Sequence, residues 1–406
     1  MAQAILDAAV VAAPAPVAPA MPAATETAAP AVEIGAEQRF EFTGSGSEYF
    51  RIWVVNLLLT ILTLGIYSAW AKVRRLQYFH RNTVLAGAIF DYHGSPKAIL
   101  KGRLLALGLL AAYHVSSGIS AATSAAVLLL LALISPWLLA CAFRFKLANT
   151  SYRGLRFRFR GTIGQAYRML ILFPLMFAAV GVLLWSLVTS FGRTPNIGLM
   201  LLVIVLPFVT IVGTVPLAHY LLKRYQHDNA DFGQTPFQFH ARGIDFFRTY
   251  GKAVGMVVLG SLAGAAFAAA TASLSRWLLS TAFGAVFATL YTLLSAYVFY
   301  LFVRAYMEGR LQNLVWNRTE LGMHRFESRV RVRRLLAIHA SNLLLIALTL
   351  GLFKPFAAVR LAKYRIESMA LLPGDDIEDF LAAQDRDDVG AIGQEAGDLF
   401  DFDIGL

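Results

Sequence analysis

Six stretches of the chain are apolar at nearly every position: roughly residues 104–121, 122–143, 169–189, 198–222, 250–272 and 278–303. Each suits a membrane crossing, because about 20 apolar residues carry a helix through ~30 Å of hydrocarbon. They come in pairs with short connections, so the pattern predicts three transmembrane hairpins. Between the hairpins the period changes from helical to alternating. In Leu155-Arg-Phe157-Arg-Phe159-Arg, apolar and basic side chains take opposite faces, as on a strand.

That alternating segment is one copy of a repeat. Asn82-Thr-Val-Leu-Ala-Gly87 through Phe90-Asp-Tyr92-His-Gly94 aligns position for position with Asn149-Thr-Ser-Tyr-Arg-Gly154 through Phe157-Arg-Phe159-Arg-Gly161. Copies at Asn229–Ala241 and Thr319–Phe326 carry their glycine one place early, and Phe40-Glu-Phe42-Thr-Gly44 supplies the closing half. Each copy predicts a small β-hairpin or a bent strand. Isolated two-stranded hairpins are marginal, so the copies are expected to pair into a shared sheet or to pack their aromatic faces on helix ends.

A third pattern is too short to span. Ile52–Thr63 and Ile66–Tyr78 are each near 12 residues, about 18 Å as helix. Thr63-Leu-Gly65 interrupts them, with glycine as the natural stop. The run Asn56-Leu-Leu-Leu-Thr60 through Gly65-Ile-Tyr recurs as Asn342-Leu-Leu-Leu-Ile through Gly351-Leu-Phe, offset by 286 residues. The offset holds without a gap from Phe40/Phe326 to Tyr78/Tyr364. Two short re-entrant or interfacial helical hairpins, hinged at Gly65 and Gly351, are therefore expected. The fold class is mainly α: a polytopic membrane protein with six spanning helices, two short hairpins and repeated β-hairpins on the cytoplasmic face.

Composition agrees. With 57% hydrophobic and 15% charged residues and a mean hydropathy of +0.59, the chain has too few charges to cover a soluble globule of 406 residues. Charge also orients it. Arg193 and Arg276 are the basic residues in the short connections within the hairpins, whereas residues 144–168 hold seven Lys/Arg and no acid. Short basic loops stay cytoplasmic, which places the long connections and both termini there. A single crossing by either short block would invert every later loop, so each should return to its own side.

The expected organisation is an Ala/Pro-rich tail at 1–38, a membrane domain at 39–371 and an acidic tail at 372–406. The first tail reads as flexible rather than as a signal peptide. The membrane domain divides into five related units, about 40–89, 90–156, 157–236, 237–325 and 326–371. Residues 375–406 hold eleven acids against Arg386, the mark of a solvating segment or of one that folds back onto the basic face.

Candidate chemistry is sparse. Gly44-Ser-Gly-Ser-Glu48 lacks the Gly-Lys-Ser/Thr ending of a phosphate loop and fits a helix cap from Ser45. His227, Asp228, Asp231 and His240 lack the convergent spacing of metal ligands, and the single Cys141 sits in a span. Gly251, Gly255, Gly260, Gly264 and Ala268 suggest a close helix seam. With no nucleophile–base pair or ligand set, no catalytic residue, cofactor or metal is expected, and the chain does not read as an enzyme. Asn56, Thr60, Thr63, Asn342 and Thr349 are polar groups placed either to bond neighbouring helices or to line a polar path. Arg153, Arg156, Arg158 and Arg160 suit anionic lipid rather than nucleic acid, each basic residue near a membrane contributing about 1 kcal/mol.

Three motifs carry a family likeness: Phe42-Thr-Gly-Ser-Gly-Ser-Glu-Tyr-Phe50, Leu62-Thr-Leu-Gly-Ile-Tyr-Ser-Ala-Trp70-Ala-Lys-Val-Arg74 and Asn317-Arg-Thr-Glu-Leu-Gly322. Over about residues 38–370 the chain resembles the YjgN-type family of bacterial inner-membrane proteins of unknown function. The resemblance implies a multi-pass inner-membrane location and brings no catalytic residues. Pro355 and Ala358 stand where the first block has Ala69 and Lys72, so the duplicated ends have diverged. Two functions stay open. One is movement or gating of a small solute or lipid through a pseudosymmetric centre. The other is a scaffold whose basic face holds anionic lipid or an acidic protein.

Overall fold

The alternating segments form strands, and the strands form a ring. The computed structural model describes residues 37–191, 197–270 and 281–374. Its strands are β1 (Gln38–Arg39), β2 (Glu41–Phe42), β3 (Thr83–Leu85), β4 (Ala88–Tyr92), β5 (Thr150–Tyr152) and β6 (Leu155–Phe159), followed by β7 (Ala230–Phe232), β8 (Thr235–Phe239), β9 (Thr319–Leu321), β10 (His324–Ser328) and β11 (Met369–Leu372). The sheet order is β1-β11-β10-β9-β8-β7-β6-β5-β4-β3-β2. Gln38 pairs with Leu371, and Phe42 pairs with Thr83. Because β1 and β2 are one stretch of chain on either side of Phe40, the two ends of that order meet and the sheet closes. Among the described strands closure leaves no edge unpaired.

Every pairing is antiparallel, so alternate connections fall on opposite rims. Tight turns join β3–β4, β5–β6, β7–β8 and β9–β10 on one rim. The helices leave from the other: α1 (Gly46–Leu62) and α2 (Ser68–Arg81), α3 (Pro96–Ile119) and α4 (Ala121–Ala148), α5 (Ile163–Leu170) with α6 (Leu172–Phe191) and α7 (Ile197–Asp228), α8 (Gly243–Ala270) and α9 (Ala282–Trp316), and α10 (Val332–Leu348) and α11 (Lys354–Glu367). Five strand–helical hairpin–strand modules thus stand on a single ring.

The slipped glycine of the third and fourth copies has a backbone cause. Ala86-Gly87 and Arg153-Gly154 both have positive φ at the two turn positions, as a type I′ turn demands. In the other two turns Gly233 and Gly322, each at φ +58°, take the first position alone, which is where a type II′ turn needs glycine.

Five helices are long and apolar enough to cross a membrane: Pro96–Ile119, Ala122–Ala148, Met200–Asp228, Gly243–Phe267 and Val286–Trp316. A sixth follows if α5 and α6, bent by 40°, are one broken span. The chain is a membrane protein with several apolar helices. Of the small residues on α8, Gly260 packs closely: a Cβ there would strike the Phe299 ring. Gly251, Gly255 and Gly264 have open space instead, so the expected continuous seam narrows to one contact.

The two duplicated blocks fold alike. α1 and α10 are each 17 residues, about 25 Å, and α2 and α11 are each 14 residues. The first hairpin's arms exceed the 12-residue apolar runs because flanking residues continue each helix, Gly46–Arg51 at the start of α1 and Phe79–Arg81 at the end of α2. At the bends Gly65 and Gly351 have φ of +93° and +95°. Their amides donate to Thr60 O and Ile346 O, both at 2.8 Å, closing each helix in the same way. The tips are apolar yet bare: Leu64 and Leu350 are each 95% exposed. The tails at 1–36 and 375–406 lie outside the described residues.

Candidate functional site

Along each longer strand the first aromatic of the Phe-x-Phe repeat turns into the ring. Phe40, Phe90, Phe157, Phe237 and Phe326 line it, joined by Tyr152 and Phe232. Their rings form a girdle, with centroids 4.7 Å apart for Phe90–Tyr152 and 5.1 Å for Phe157–Phe232. The second aromatic packs beyond the ring among helix ends: Phe159, for example, meets Ala140, Ala166 and Tyr225. It lies across the motif's glycine, since a Cβ on Gly161 would sit 2.5 Å from the Phe159 ring. The outward faces of β6 carry Arg156 and Arg158, both exposed.

The girdle does not fill its ring. A cavity of about 560 Å³ runs through the interior to the helix ends, within the size range of small-molecule pockets. Its wall is mainly apolar, and among the described residues no carboxylate belongs to it. Four modules contribute the residues two and three places before the returning strand's opening Asn, or that position's equivalent, and the last contributes the one two places before. These are Phe79 and His80, Lys146 and Leu147, Gln226 and His227, Val315 and Trp316, and Ile366. Lys223, about one turn further into α7, joins them, with Nζ donating to Gln226 Oε1 at 3.0 Å.

The rim is electropositive. Lys146 and Lys223 repel one another, and neither forms an ion pair with a described residue. Burial, and then the charges of Arg103 and Lys146, lower the pKa of Lys72. His80 is held below its ordinary value, first by burial and also by Lys146. Its Nδ1–H donates to Leu76 O at 2.8 Å, which leaves Nε2 as the acceptor. His227 is stacked on Phe239 and lies 3.3 Å from the Thr319 hydroxyl through Nδ1.

The residues singled out by sequence are dispersed. Thr60 and Thr63 donate to the carbonyls of Asn56 and Leu59, four residues earlier in α1. Thr349 does the same to Leu345 O in α10. Asn342 donates to Ala357 O at 3.3 Å and accepts from Arg360 at 2.8 Å, within its own hairpin. Asn56 is equally buried, but its Oδ1 has no partner among the described residues. Arg153 lies at a turn on the rim away from the helices and donates to Ala86 O at 2.9 Å. Arg160, at the opposite end of β6, pairs with buried Asp231. Burial raises the Asp231 pKa despite that arginine.

The other candidate groups also bond separately. Asp228 Oδ1 accepts from Phe239 N, and His240 pairs with Glu320. Among the described residues no three His, Cys, Asp or Glu side chains converge as metal ligands. Ser45 caps α1, accepting from Glu48 N at 3.3 Å, while the Glu48 carboxylate accepts from Tyr78 OH. Lys146, Lys223 and His80 were not legible as a site. For His80 and Lys146 the signal was there, since positions two and three before Asn82 and Asn149 fall in register, whereas Lys223, six before Asn229, lies outside it; only the closed ring points all three at one space.

The family model described as a bacterial protein of unknown function, DUF898, matches residues 37–399. The chain belongs to that family. The members it resembles include the inner membrane protein YjgN of Salmonella typhimurium, 31% identical over 183 residues, which is 42% of this chain and 44% of that protein. YjgN of Escherichia coli K12 is 32% identical over 146 residues, 34% of this chain and 35% of that protein. The chain thus aligns with less than half the length of these relatives. No solved structure matches it.

Proposed function

We propose that this DUF898 protein is a multi-pass inner-membrane protein that draws a lipid-like molecule from the cytoplasmic leaflet into its β ring. The observation that carries the reading is the aromatic cavity of about 560 Å³, continuous from the ring to the helix ends. An apolar space of this size, reached from where helices enter a bilayer, suits an acyl chain better than a polar solute. The topology supports placement: each module leaves and regains the same rim, so six spans in three hairpins and two re-entrant hairpins keep the ring on one face. The basic connections support a cytoplasmic placement of that face.

The polar path through Asn56, Thr60, Thr63, Asn342 and Thr349 is the weaker route, because the three threonines bond within their own helices and Asn342 within its own hairpin. A scaffold reading has one observation in its favour, the exposed outward arginines Arg156 and Arg158. Photolabelling separates the two. The full chain is reconstituted in vesicles with a phospholipid carrying a diazirine on its acyl chain, irradiated, and mapped by mass spectrometry. Labels on the inward residues of β5–β8 support the reading. Labels confined to the helices would sink it and favour the scaffold.

A further inference from the structure

The reading above leaves the chemistry of the head group open, and the rim of the cavity addresses it. Lys146 and Lys223 come from different modules, one near the end of α4 and the other about one turn before the end of α7. Both line the same cavity as the aromatic girdle. Two ammonium groups that repel each other at the mouth of an apolar space, with no carboxylate among the described residues of its wall, form an incomplete electrostatic arrangement. An anion between them would complete it. Gln226, which already accepts from Lys223, offers an amide N–H as a further donor. The apolar wall lies on the ring side of these lysines, so a chain attached to the anion would run into the ring.

Resting on the proposed function, we propose that Lys146 and Lys223 form an anion subsite, and that the ring takes a single-chain amphiphile with an anionic head group. The head would sit at the membrane-side rim and the chain among Tyr152, Phe157 and Phe232. A neutral amphiphile of equal length would gain the same apolar contacts without the charge-assisted hydrogen bonds.

The test uses two photoprobes of identical chain, a diazirine-bearing C16 fatty acid and the corresponding C16 alcohol, with the full chain in neutral-lipid nanodiscs at pH 7.4. The acid should label the inward strand residues on the order of tenfold more than the alcohol, the gain expected of charge-assisted bonds to the head. K146Q/K223Q should bring the acid down to the level of the alcohol while alcohol labelling persists, which also reports an intact ring. K146R/K223R should keep the preference. Equal labelling by both probes in the native protein would overturn the anion subsite and leave the proposed function standing. No ring labelling by either probe would overturn both. An acid preference that survives K146Q/K223Q would show that other groups select the head.

Discussion

Filling the ring tests whether its space is used. Ala230 lies on β7, is buried, and faces the cavity between Phe232 and the rim. Ala230→Leu would add three carbons to a wall with room for them. At ~0.8 kcal/mol per buried carbon the gross gain is about 2.4 kcal/mol. Ordering the leucine side chain costs roughly 0.5–1 kcal/mol, which leaves about 1.5–2 kcal/mol of stabilisation. A filled core would give the opposite sign, because overpacking typically costs about 1–3 kcal/mol. The assay is thermal unfolding of delipidated protein in detergent, followed by the loss of the monodisperse species, with and without palmitate. Native protein should gain stability with palmitate by mass action, since the ligand binds only the folded ring. Ala230→Leu should start higher and gain little. A variant that starts lower than native protein, or gains as much from palmitate, would show that the space at Ala230 is neither free nor the binding site.

Two further outcomes follow from the same geometry. Gly161→Ala puts a Cβ 2.5 Å from the Phe159 ring and 2.9 Å from Tyr225 OH, so it should lower stability by about 1–3 kcal/mol. Ala241→Gly, the reverse change in the copy that already holds alanine, should cost about 0.4–1 kcal/mol through the freer unfolded chain, and comparable losses in the two thermal scans would refute the motif's explanation. His80 has a folded-state pKa below its ordinary 6.5, so below about pH 6.5 the unfolded chain takes up a proton that the folded one resists, and stability falls with falling pH. His80→Gln should flatten that fall between pH 6.5 and the lower folded value, and a parallel stability–pH profile would show that His80 is not buried as described.

The sequence exposed the parts of this fold that follow from short-range periodicity. Apolar runs located the helices, and period-two alternation located the strands, because both patterns are local consequences of which face must leave water. The 286-residue offset carried more: α1 and α10, and α2 and α11, begin and end at equivalent residues. What stayed hidden depends on closure. Whether Phe40 sits at a sheet edge or in a ring is decided by Gln38 meeting Leu371 across the whole chain, and no local pattern encodes that meeting. The candidate site was hidden for the same reason. Lys146 looked like one more topological charge among the basic residues of 144–168, and only the ring separates it from Arg156 and Arg158, which face outward. Arg153 shows the converse, since its charge suggested lipid but its turn placed it on the rim away from the helices.

Closure also gives the duplicated ends a physical role. In a ring of five modules the first and the last are neighbours, so the two short hairpins stand side by side. β1 pairs with β11, the Phe50 ring lies tilted against Phe356 with centroids 5.5 Å apart, and the Phe356 ring fills the space beside Gly46. Both modules keep the same internal tie: Tyr78 OH donates to Ser45 O, and Tyr364 OH donates to Arg331 O, 286 residues on. Long helical pairs wall the remaining modules, whereas this seam presents arms of only 17 and 14 residues. The cavity wall on the seam side comes from Phe40, Phe79, His80, Ile366, Met369 and Leu371. On the proposed reading, the short hairpins make the low side of the vessel. Their bare leucine tips reach into the leaflet, and a lipid chain passing there meets the ring without parting two spanning helices. The sequence divergence at Pro355 and Ala358 follows from the neighbours: Ala69 packs against Tyr92, Ile99 and Phe145 of the next module, whereas Ala358 packs across the seam against Phe42, Tyr49 and Tyr78, so the two halves need no longer be alike.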